Sequence, residues 1–169
     1  ASRAAIRPRY NAKGKNYLQT LVSAGESVAL LPLSQAYLDL GQLVDAEASL
    51  QRYLKTHPVT VDARRVRAEL LMARGDQTGA LAELEIWSEE GGRDADGWVS
   101  LATLRLDGDD KLGAVSALKK AQNLNPRDTS PTGPTRLLLN VVGEMLTEEE
   151  RIHLLQEVCA HDEVALQER

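Results

Sequence analysis

The residues best suited to hold a metal stand near the C-terminal end, where His153, Glu157 and His161 recur every four positions with Cys159 among them. Imidazole, carboxylate and thiolate are the ligands that zinc prefers. On a helix, however, the eight residues from His153 to His161 span roughly 12 Å at 1.5 Å rise each, so one ion reaches a single His–Glu pair. The expectation is a solvated helix face with an incidental thiol, and no metal. Cys159 is the sole cysteine, which excludes an internal disulfide and leaves the compartment open, cytoplasm or bacterial periplasm. His57, just before Pro58, suits the negative end of a helix dipole and needs no proton-transfer role. The sequence holds no glycine-rich phosphate loop, nucleophile elbow or paired His–carboxylate motif. No enzyme activity and no cofactor are expected, and Gly91-Gly92 reads as a linker.

The main charge feature is the run Arg64, Arg65, Arg67 and Arg74, interleaved with Asp62 and Glu69. Two readings stand. Arg64, Arg65 and Arg67 grip carboxylates of a partner through the guanidinium fork, or the neighbouring acids pair with them on an ordinary solvated face. Overall the charge is −5, which argues against nucleic acid or an anionic membrane as the default partner. No apolar run approaches the roughly 20 residues of a spanning helix, so no membrane insertion is expected. The chain starts at Ala1 without a signal-like segment and is expected to be soluble, a processed product or an excised piece.

The elements that would carry these side chains are helices. Of 169 residues, 27 are Leu and 21 Ala, whereas Ile numbers three and Phe none. Leu and Ala favour helix, and the strand-favouring residues are scarce. A period of 34 runs through the chain. Ala46, Ala80 and Ala114 share a column, as do Leu50, Leu84 and Leu118; Tyr53, Trp87 and Ala121; and Pro58, Gly92 and Pro126. Ser34, Ala68 and Ala102 are small, while Leu38, Met72 and Leu106 are apolar; Gly41 and Gly75 are 34 apart, with Gly108 one short of the next mark. Two antiparallel helices per repeat explain the columns. The small residues let helix backbones approach, the large ones fill the space between repeats, glycine ends the first helix and proline the second.

This pattern resembles the tetratricopeptide repeat (TPR) family over about residues 27–128, in repeats 27–60, 61–94 and 95–128. The third repeat carries it in Trp98, Leu101, Ala102, Gly108-Asp109, Ala114, Leu118, Ala121 and Leu124-Asn125-Pro126, and the first in Leu33, Tyr37, Gly41, Ala46, Leu50, Tyr53 and Pro58. Arg64 and Arg67 depart from it, standing where the family usually places apolar residues, as does Gly92 in place of proline. The resemblance implies a right-handed all-α solenoid with helical caps. It also implies a concave groove lined by the first helix of each repeat, whose columns fall here on Leu31, Gln35 and Leu38; Arg65, Glu69 and Met72; and Val99, Thr103 and Leu106. The Lys and Asn set that some members use to clamp acidic chaperone tails is missing. The groove is expected to be apolar at Leu38, Met72 and Leu106, with few charges around it, and to suit an amphipathic helix or extended segment.

The function that the resemblance implies is a non-catalytic scaffold or adaptor for another polypeptide, in the manner of a bacterial secretion chaperone or an envelope assembly factor. The alternative is a regulatory or docking domain of a larger enzyme. The flanks complete the plan. Residues 1–15 hold five basic residues and no acid, which reads as a mobile arm, followed by a short helix over 17–24 capped by Asn16. Residues 125–134 read as a loop, and 129–169 as that loop plus a decayed helical pair capping the stack, its last helix starting after Thr147. Residues 144–169 carry eight acids against two bases. Self-association of arm and tail is therefore considered, but two separately solvated ends are favoured.

Overall fold

The structure is a computed structural model that describes residues 8–127, 133–149 and 152. Among these residues there is no strand. Eight α-helices follow in order: α1 (Ala12–Ser23), α2 (Leu30–Asp39), α3 (Leu43–Thr56), α4 (Val61–Arg74), α5 (Gln77–Glu89), α6 (Ala95–Asp107), α7 (Lys111–Leu124) and α8 (Pro134–Asn140). A 3-10 turn at Ser27–Ala29 leads into α2, and a π-helical turn at Val141–Met145 follows α8. Short connections make α2 with α3, α4 with α5 and α6 with α7 into hairpins, and successive hairpins pack on one another.

Burial of the 34-residue columns explains why these helices stack. Ala46, Ala80 and Ala114 are fully buried, as are Ala36 and Ala68, and Leu50, Leu84 and Leu118 fill the space between hairpins with Tyr53 and Trp87. A second set of 34-residue marks lies at the helix starts. The side chains of Thr60 and Asp94 cap α4 and α6, and those of Asp76 and Asp110 cap α5 and α7, each accepting a backbone N–H from the residue three places on. These caps are as periodic as the core.

Three expectations are corrected. Asn11, not Asn16, caps α1 and accepts the Gly14 N–H at 3.0 Å, so residues 12–15 are helical and only a shorter arm precedes them. Gly41 and Gly75 take the left-handed conformation, but in the third hairpin Asp109 takes it, with φ 63°, while Gly108 does not. Asp109 stands 34 residues after Gly75, so geometry kept the register where residue type did not. Gly91-Gly92 is also more than a linker. A Cβ on Gly92 would lie 2.2 Å from Trp87 Cε2, and the Gly92 carbonyl accepts the Trp98 indole N–H at 2.9 Å. Glycine stands there because the Trp87 ring fills the space a side chain would need.

Beyond α7, helix α8 starts at Pro134 and packs on α7, and Val141 and Leu146 complete the main core. Glu148 and Glu149 are helical. His153, Glu157, Cys159 and His161 lie outside the described residues, as do residues 1–7.

Candidate partner-binding groove

Helices α2, α4 and α6 present the columns that the 34-residue register assigns to the groove. Their apolar members are half-buried: Leu31 and Leu38 lean on the core between the first two hairpins, and Met72, Val99 and Leu106 on the main core. Thr103 turns its hydroxyl back to the Val99 carbonyl of its own helix, at 2.9 Å.

The polar members form one buried network. Gln35, Arg65 and Glu69 are only 2%, 6% and 4% exposed. Gln35 Nε2 donates to Glu69 Oε2 at 2.7 Å across one 34-residue step, Arg65 donates to Gln35 Oε1 at 3.0 Å, and Arg65 and Glu69 form an ion pair one helical turn apart. Buried polar groups cost free energy unless partnered, and here each partners the next. Burial pushes the Glu69 carboxyl above its ordinary range, and Arg65, Gln35 and Arg9 pull it only part of the way back.

Over this network lies the chain's own N-terminal segment. Asp39 Oδ2 accepts the backbone N–H groups of Arg9 at 2.6 Å and Tyr10 at 2.7 Å, and Asp39 Oδ1 accepts from Gln35 Nε2 at 3.1 Å. The Arg9 guanidinium reaches Asp94 at 2.5 Å and Asp96 at 3.5 Å, more than 80 residues along the chain. Asp94 is held in place from two sides, since it caps α6 through the Gly97 N–H at 3.0 Å and meets Arg65 Nε at 3.5 Å. Burial works against the Arg9 charge, but the carboxylates of Asp94, Glu69 and Asp96 together raise its pKa above the ordinary arginine value. Beside the arm is a cavity of about 160 Å³ lined by Pro8, Gln35, Leu38, Asp39, Glu69 and Ala73.

The arginines singled out in the sequence divide. Arg65 belongs to the groove network. Arg64 pairs with Glu90 at 2.8 Å and Glu83 at 3.5 Å, and Arg67 with Glu83 at 2.6 Å, so both turn toward α5 and its C-terminal end. The hydrogen bond to Glu90 is the main reason that the Arg64 pKa lies above its ordinary value. Arg67 Nε is buried without a hydrogen-bond partner among the described residues.

Reading the sequence missed Asp39, Asp94, Asp96 and Arg9, which make the centre of the groove charged rather than sparsely so. Asp94 caps α6, and nothing in its local sequence places it opposite a residue 85 positions earlier. Among the described residues no group of His, Cys, Asp and Glu is placed to hold a metal ion, and no helix is long and apolar enough to cross a membrane.

The sequence matches no family model and no curated protein. The crystal structure of MamA, a TPR-like helical protein, is similar to this chain with a TM-score of 0.61 at 15% identity, covering 91% of this chain and 90% of that one. The likeness concerns the fold: the chain is an all-α, TPR-like solenoid.

Proposed function

We propose that the chain is a non-catalytic protein-interaction scaffold that holds an extended segment of a partner polypeptide in the groove of α2, α4 and α6. The observation that carries this reading is the seating of Pro8, Arg9 and Tyr10 there, with two consecutive backbone N–H groups on one carboxylate. A carboxylate that accepts backbone N–H groups grips a polypeptide whatever its side chains, which suits a peptide groove more than a pocket for a metabolite. Half-buried Leu38, Met72 and Leu106 supply the apolar surface that a bound segment would cover.

Secretion chaperone, envelope assembly factor and docking domain of a larger enzyme are finer versions of this reading that differ in the partner rather than in the groove. A photo-crosslinking residue at Met72 should capture the partner polypeptide, whereas one at Val44, 77% exposed on α3, should not. Met72→Glu should then weaken binding of that partner more than tenfold, as for an interface anchor losing about 1.4 kcal/mol or more, with the circular dichroism spectrum unchanged. Capture from Val44 alone would contradict the reading.

A further inference from the structure

The residues that hold Arg9 are more selective than a general peptide groove requires. Asp39 reads the backbone and is indifferent to the side chains it holds. Asp94 and Asp96, by contrast, converge on one guanidinium nitrogen, Nη2 of Arg9, and Asp94 is fixed in advance by the Gly97 N–H and by Arg65. Two carboxylates that converge on one position favour a cationic side chain there, and arginine is the one the structure seats.

The arm itself is held lightly. Its side-chain contacts to the groove are part-exposed: the Arg9 side chain is 27% exposed and its partners Asp94 and Asp96 are 29% and 38% exposed. Part-exposed pairs of this kind hold less firmly than buried ones, so a competing segment can replace them. Pro8 and Arg9 are exposed residues, and only Tyr10 packs on apolar neighbours, in the cluster of Leu18, Ala29, Leu33 and Ala36. The arm also leaves Met72 and Leu106 half-exposed, so an incoming segment can cover apolar surface that the arm does not.

We propose, building on the scaffold reading, that Pro8–Tyr10 is an internal ligand occupying a recognition site for an arginine-bearing extended segment of the partner, which binds by displacing the arm. The partner places its arginine on Asp94 and Asp96, and its residues at the Arg9 and Tyr10 positions are not proline, because Asp39 takes both N–H groups. The tether gives the arm an effective concentration on the order of millimolar. The resting groove is therefore closed to weak basic peptides, and an arm lacking Arg9 opens it.

The test uses the full chain and a fluorescent synthetic peptide copying residues 4–11, together with a version carrying alanine in place of Arg9. The Arg9→Ala chain should bind the arginine peptide at least tenfold more tightly than the wild type does. It should bind the alanine peptide at least tenfold more weakly than the arginine peptide, and affinity should fall as salt rises. Adding Asp94→Asn should remove at least tenfold of the binding, while asparagine keeps the helix cap. In the wild type, trypsin should cut the Arg9–Tyr10 bond slowly, and Asp94→Asn should speed that cut.

Equal binding of both peptides would overturn the proposal. So would equal affinity of wild type and Arg9→Ala, or no binding to an Arg9→Ala chain that melts like the wild type. A sedimentation coefficient that rises with concentration in the wild type but not in Arg9→Ala would mean that arms exchange between copies, which overturns the internal-ligand assignment. A partner captured from Met72 whose affinity ignores Arg9→Ala removes this inference and leaves the scaffold standing. Loss of the Met72 capture removes the scaffold itself.

Discussion

Glu69 sits at the centre of the groove, and its titration reports how that centre is built. Burial raises its carboxyl pKa above the ordinary value near 4.5, so the folded state holds this proton more tightly than the unfolded chain. The resulting stability is fully present below the unfolded value and is lost as pH rises through the folded one. Stability measured by urea unfolding should therefore favour wild type over Glu69→Gln by a margin that grows as pH falls from neutral toward 4.5; a margin that shrinks would contradict the assigned direction. Asp109 offers a second residue-scale test. Its φ of 63° costs a side-chain-bearing residue about 1 kcal/mol that glycine avoids, partly offset by the greater freedom of glycine when unfolded. Asp109→Gly should stabilise the fold, by less than about 1 kcal/mol, whereas Asp109→Val should destabilise it. The 34-residue register marked this position in the sequence, but glycine stands one place early, and only the backbone shows which residue turns.

At the scale of elements, the turn from α5 to α6 determines where Asp94 stands. Trp87 packs against Gly92 and Gly97, Trp98 bonds to the Gly92 carbonyl, and Asp94 lies between these fixed points. Gly92→Ala drives a methyl group into the Trp87 ring and should cost about 3 kcal/mol, the upper end for overpacking a core. The urea midpoint should shift down, and trypsin should cut after Arg9 faster than in the wild type; an unchanged midpoint would mean that the turn tolerates a side chain. Helix pairs and their burial were legible in the sequence because small and large residues recur where helices must approach or fill space. The start of α1 was less so: residue type alone put the cap at Asn16, whereas the Asn11 side chain accepts the Gly14 N–H and starts the helix earlier. Arg64 and Arg67 were legible as charged but not as partners of Glu83 and Glu90, because that pairing depends on how α4 lies against α5.

Over the whole molecule, a repeated core builds three similar hairpins while the groove they line is unequal along its length. The columns that pack are nearly identical from repeat to repeat, as Ala46, Ala80 and Ala114 show. The polar column reads Gln35, Glu69 and Thr103, three different chemistries, and the charge that matters comes from Asp39 and Asp94 at helix ends and from Arg9 in the arm. Periodicity reveals the shared scaffold and is silent on these differences, which is why the repeating columns of α2, α4 and α6 were legible and the charge around them was not. The most direct measurement is a titration of the partner polypeptide captured at Met72 into isotope-labelled protein, followed by backbone amide resonances. The account predicts perturbations at Leu38, Met72 and Leu106 together with loss of the docked signals of Arg9 and Tyr10. Perturbations confined to the exposed faces of α3, α5 and α7, with Arg9 and Tyr10 unmoved, would contradict it.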